Sequence, residues 1–170
     1  MWFEALTGFG EDNVDDVGAQ FDLHDGTLTS LANGRAMQCG SFETPSLGEL
    51  RELSGTIAGK ARLRFSEVVA DVQALHRDHL NAGALFQVAS QFNTLEMVSP
   101  NVTPDDGIDR YENDRTQGPA CAIACGAGTI YRNYLVPIDG HIGQSASRQV
   151  NCLAELVARL GIDVEMRNGY

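Results

Sequence analysis

Four aspartates, Asp105, Asp106, Asp109 and Asp114, crowd into residues 105–114, with Arg110 among them and Arg115 just after. Carboxylates at this density can accept hydrogen bonds from ribose hydroxyls or orient and deprotonate a water. Gly118 and Pro119 then open an apolar run of small residues, Ala120–Ala127, that reads as a helix. The start of such a helix carries free N–H groups and the positive end of its dipole, a seat for a phosphate. Upstream, Ala84–Ser90 is a short apolar run that fits a central strand buried on both faces. Its carboxyl end leads into Gln91, Phe92 and Asn93. Ligands of α/β sheets collect at that end of the strands. Carboxylates beside a phosphate seat suit a ligand with both phosphates and hydroxyl-bearing sugars. The aspartates also fit a plainer role. Thr103 to Gly107 reads Thr-Pro-Asp-Asp-Gly, a common turn that Asp105 and Asp106 suit as caps.

Other chemistries find less support. Cys121 and Cys125 are spaced i, i+4 in an apolar segment and read as small buried hydrophobes. No Cys-x-x-Cys occurs, and a zinc site needs more ligands at tighter spacing, so no metal is expected. His76 and His79 can share a helix face, or lie in a polar loop. Gly126-Ala127-Gly128 is too short for a nucleotide fingerprint and suits a helix end. There is no Gly-x-Ser-x-Gly elbow, and Ser90, Ser145 and Ser147 have no evident histidine partner.

The surrounding elements must position these residues. Phe21–Leu31 reads as a hairpin around Asp25 and Gly26, and Met37–Glu43 as a further strand. Pro45 opens a helix marked by Leu47, Leu50 and Leu53, with Thr44 or Ser46 as its cap and Gly55 and Gly59 at its end. Ala61–Val69 alternates apolar and polar residues, as a half-buried strand does. Residues 91–117 form a long polar loop. Thr129–Pro137 reads as a strand, Ser147–Leu160 as an amphipathic helix capped by Gly161, and the segment from Val164 as a last strand. Two parts emerge: a β/α extension over 1–60, and an α/β sheet flanked by helices over 61–170.

The chain has 170 residues and a formal net charge of −11, which argues against binding a nucleic-acid strand. Of its 12 basic residues only Lys60 is a lysine, and a local arginine cluster can still hold one phosphate group. No apolar run is long enough for a membrane span, and the acidic N-terminus lacks a signal peptide's basic start. A cytosolic protein is expected.

Ala70, Asp71, Val72 and Leu75, followed by an apolar strand and then Asn93, resemble the macrodomain pattern Gly-Asp-Ile-x-x-Leu, strand, Asn loop. The stretches LFQVASQFNTLE (85–96), TPDDGIDRY (103–111) and DRTQGPACAIACGAGTIYRNYLVP (114–137) resemble a divergent bacterial macrodomain-like family. That family is similar to enzymes that remove ADP-ribose from arginine side chains. Ala70 replaces the usual glycine, 21 residues separate Asp71 from Asn93, and no Gly-Gly-Gly-x-Phe-Gly loop follows. The resemblance therefore implies a three-layer macrodomain-like fold over 61–170 that is incomplete at its C-terminus.

The resemblance also implies roles. Asp71 and Val72 would contact adenine, and Gln91 and Asn93 the distal ribose. Gly118, with Gln117 beside it, would face the diphosphate. Asp106 and Asp114 would position or activate a water against the ribose C1–N bond, with Asp109 as a substitute for either. An oxocarbenium-like transition state gains from a nearby negative charge. The expected function is binding of ADP-ribose, or of an ADP-ribosylated protein, with hydrolysis of the linkage. No cofactor is required. A reader without catalysis and an inactive interaction fragment are the alternatives.

Overall fold

The computed structural model describes residues 1–55, 62–87, 90–114 and 116–170. It mixes helix and sheet, with 39% of residues helical and 11% in strands, so helices supply most of the packing surfaces. Helix α1 spans Trp2–Thr7 and buries Phe3 and Thr7, one turn apart on one face. The short helix α2, Val14–Val17, buries Val17. Strands β1 (Phe21–His24), β2 (Thr27–Ser30) and β3 (Ala36–Gln38) form an antiparallel sheet in chain order. Phe21 pairs with Ser30, and Leu28 with Met37. The hairpin expected around Asp25 and Gly26 is present, with φ of 46° and 71°, the left-handed pair that a two-residue turn requires.

Helix α3 spans Leu47–Ser54, close to its expected place. Ser46 caps it by a reciprocal box: the Glu49 N–H donates to Ser46 Oγ (3.2 Å), and the Ser46 N–H to the Glu49 carboxylate (2.7 Å). Helix α4 is Val72–Arg77, α5 is Gln117–Ala124, and α6 is Gly126–Tyr134. A two-stranded hairpin follows, β4 (Pro137–Ile138) with β5 (His141–Ile142), and α7 (Ala154–Leu160) ends at left-handed Gly161.

Several expected strands of the second half take another course. Residues 129–134 are helical rather than extended. Their alternation is equally a helical pattern, which places Ala127, Ile130 and Tyr134 on the buried face of α6. Residues 62–69 are irregular and exposed, and among the described residues no partner strand meets them: Phe65 is 88% and Leu63 78% exposed. Residues 84–87 and 90 are also irregular, and Val88 and Ala89 lie outside the described residues, as do 56–61. The segment after Val164 is irregular and closes on a turn between Arg167 and Tyr170. The helix expected over 147–160 begins only at Ala154. Among the described residues, no helix is long and apolar enough to cross a membrane.

One core joins both halves of the chain. Phe3, Val17, Phe21, Leu28 and Met37 pack in a single cluster with Ile108, Tyr111, Ala122, Ala127, Ile130 and Tyr134. Phe3 lies edge-on to Phe9 (5.4 Å between centroids) and to Tyr134 (6.4 Å). The Glu11 carboxylate accepts from the Ile108 N–H (2.9 Å) and the Asp109 N–H (2.7 Å), and the Tyr134 hydroxyl also donates to it.

Two substitutions test this account by denaturant unfolding. Phe3→Ala leaves a cavity in the common core and should cost about 3–5 kcal/mol. Glu11→Ala strands three donors at once and should cost about 3 kcal/mol. A loss under about 1 kcal/mol in either variant would refute the role given to that side chain.

Candidate functional site

Helices α4 and α5 pack together, and a cleft of about 570 Å³ opens beside their N-terminal ends. Asp71, Val72, Gln73, Glu112, Asp114 and Gln117 line it, with Ala120 and Ile123 as apolar wall. Asp71 caps α4 by accepting from the Ala74 N–H (2.7 Å). Among the described residues its second oxygen has no hydrogen-bond partner. Asp114 ends the 3₁₀ turn Asp109–Asn113 and accepts from the Thr116 N–H (2.8 Å). Those hydrogen bonds hold its carboxyl below the ordinary range, so it stays ionised. Asp71, Val72, Asp114 and Gln117, all singled out in the sequence, thus meet in one cleft.

The other singled-out residues stand elsewhere. Asp106 closes its own 3₁₀ turn, Pro104–Asp106, and accepts from the Thr103 N–H (2.7 Å) and hydroxyl (3.0 Å). Asp105 accepts from the Ala146 N–H (3.0 Å). Asp109 is buried behind α1, where burial raises its carboxyl above the ordinary range. Gln91 is spent on the Met97 backbone, donating to its carbonyl and accepting from its N–H, both at 2.9 Å. Asn93 is fully buried and donates to Gln149 (2.9 Å), while the Leu95 N–H donates back to it (3.1 Å). The C-terminal segment covers this loop, with the Phe92 N–H donating to the Gly169 carbonyl (2.8 Å). Arg115 lies outside the described residues.

Gly118 faces a second cavity on the other side of α5, of about 270 Å³. His76, Thr94, Glu96, Cys121, Cys125 and Arg132 line it. The Glu96 carboxylate sits against Gly118, where a side chain would overlap it. It therefore occupies the helix start that the sequence assigned to a phosphate, a place where the dipole favours negative charge. Burial pushes Glu96 up to about 7, with Arg132 and Arg110 pulling it down and Asp114 adding to the rise. Arg132 is held by two hydrogen bonds: its Nε donates to the Thr94 carbonyl (3.2 Å) and Nη2 to Thr129 Oγ1 (3.2 Å). Thr94 itself has a left-handed φ of 65°. Tyr111 accepts from the Glu96 N–H (2.9 Å), and burial pushes its phenol up to about 12.

Sequence reasoning missed Glu96 and Arg132. Each is a lone charge inside an apolar stretch, Glu96 between buried Leu95 and Met97 and Arg132 near buried Ile130 and Tyr134. That pattern is the available signal. Among the described residues, no group of three or more metal-ligating side chains gathers.

Glu96 has a measurable consequence. The folded chain keeps a proton on it up to about 7, whereas an unfolded chain loses it near 4.5. Stability therefore falls as pH rises between those values. The carboxyl is only half-buried, so solvent screening reduces the effect to about 1–2 kcal/mol. Denaturant melts at pH 5 and pH 8 should show the wild-type chain losing that much more stability than Glu96→Gln. Equal losses would refute the assignment.

Compared with known proteins, the chain matches no family model, no curated protein and no solved structure, so the chemistry of the site rests on its own residues.

Proposed function

We propose that the chain binds ADP-ribose in the cleft between α4 and α5 and hydrolyses an ADP-ribosyl linkage there, with arginine as the favoured attachment. One observation carries this reading. Asp71 and Val72, assigned to adenine by resemblance, line the same cleft as Asp114 and Gln117, more than forty residues away in sequence. The volume is in the range of small-ligand sites. The carboxylate of Asp71 suits the adenine amino group as donor. Asp114, kept ionised by Thr116, suits the positive charge that develops on the ribose as the C1–N bond breaks. All four cysteines are free, which agrees with a cytosolic site of action.

Binding without catalysis is the second reading, and the position of Asp106 favours it. That carboxylate is engaged by Thr103 and does not line the cleft, so Asp114 lacks the partner expected for it. The macrodomain-like three-layer arrangement over 61–170 rests on the same resemblance. Hydrogen exchange of the ADP-ribose complex tests it: slow amides over 62–69 and 84–87, as in paired strands, support it, and fast exchange throughout both segments overturns it.

Calorimetry with ADP-ribose tests binding. Asp71→Ala should weaken it about tenfold, the loss of one charge-assisted hydrogen bond. Asp114→Asn should abolish release of ADP-ribose from an arginine-modified protein and leave binding within about threefold. No binding by the wild-type chain sinks the proposal. Binding without release selects the reader.

A further inference from the structure

We infer that Cys125 and His76 form a nucleophilic thiol site, whose cavity seats a small electrophile by an anionic group on Arg132. The site lies on the face of α5 opposite the proposed ADP-ribose cleft and does not depend on that reading.

Cys125 stands apart from the other cysteines. It is exposed, as Cys152 is, and stands at the junction where α5 ends and the nine-residue α6 begins. Its Sγ lies 4.0 Å from His76 Nδ1. The His76 ring is held by stacking on Phe86, with centroids 3.8 Å apart and planes 18° apart. Its Nε2 is buried and, among the described residues, has no partner. A ring fixed in this way presents one nitrogen to one sulfur. Cys39 is instead tied to the Gly26 carbonyl, and burial raises the thiols of Cys39, Cys121 and Cys152 above the ordinary range.

The cavity also defines what reacts. Arg132 is largely buried, and among the described residues no carboxylate lies within 4 Å of it. It keeps donors beyond the two hydrogen bonds to Thr94 and Thr129. A guanidinium without an ion-pair partner, beside a thiol, suits a carboxylate or phosphate oxygen on the electrophile. In the step, the Cys125 thiol gives its proton to His76 Nδ1. The sulfur then forms a bond to the electrophilic carbon, and the leaving group departs with the electron pair of its own bond.

Two alkylating probes test this, iodoacetate and the neutral iodoacetamide, with each cysteine followed by peptide mapping of the full chain. Cys125 should react first. Its iodoacetate-to-iodoacetamide rate ratio should exceed that of exposed Cys152 about tenfold, as expected for one nearby opposite charge. His76→Phe should slow both reagents about tenfold and leave their ratio unchanged. Arg132→Gln should return the ratio to that of Cys152. Should that variant not fold, inorganic phosphate added to the wild-type chain replaces it, and it should slow iodoacetate selectively. A Cys125 no faster than Cys152, or a rate indifferent to His76, overturns the thiol site. A ratio indifferent to Arg132 and to phosphate overturns the anion seat.

Discussion

The Glu11 carboxylate is the point on which the arrangement turns. It accepts from the backbone of Ile108 and Asp109 and from the Tyr134 hydroxyl, groups 97 to 123 residues away. An approach this close needs a bare backbone at Gly107, where a side chain would collide with the carboxylate and φ is 74°. One acidic side chain near the N-terminus thereby fixes the loop 103–114 against α6. The loop in turn delivers Asp114 to the start of α5 and Tyr111 to the Glu96 backbone. Burial, together with this carboxylate, raises the Tyr134 phenol far above its ordinary range, so it remains a donor.

Helix α5 then divides the chemistry in two. Gln117 and Ala120 face the larger cleft, while Gly118, Cys121 and Cys125 face the smaller cavity, as the helical period requires. The two sides differ electrostatically. Asp114 is partly exposed and hydrogen-bonded by Thr116, so it favours its charge. Glu96 is desolvated, and its charge is disfavoured although Arg132 and Arg110 lie near. Two carboxylates around one helix end thus differ in how readily they ionise, by environment alone.

Local elements were legible where a short-range rule sufficed. The turn at Asp25 and Gly26, the Ser46 cap of α3 and the small-residue helix α5 all follow from neighbours within a few positions. The strand expected over 129–137 was not legible, because its alternation fits two periods and only the core, through Ala127, Ile130 and Tyr134, selects the helix. Asp106 and Asn93 show the same limit within the site. Each has the residue type for ligand contact, yet each is engaged by nearer protein groups.

By itself, the sequence determined the acidic charge, the local caps and turns, and the gathering of carboxylates before α5. These depend on composition and on contacts a few residues apart. Tertiary structure decided which carboxylates share a cleft, that Glu96 rather than a ligand meets Gly118, and that Cys125 faces His76. Those outcomes require groups some twenty to fifty residues apart to meet, and desolvation exists only once the chain has closed around them.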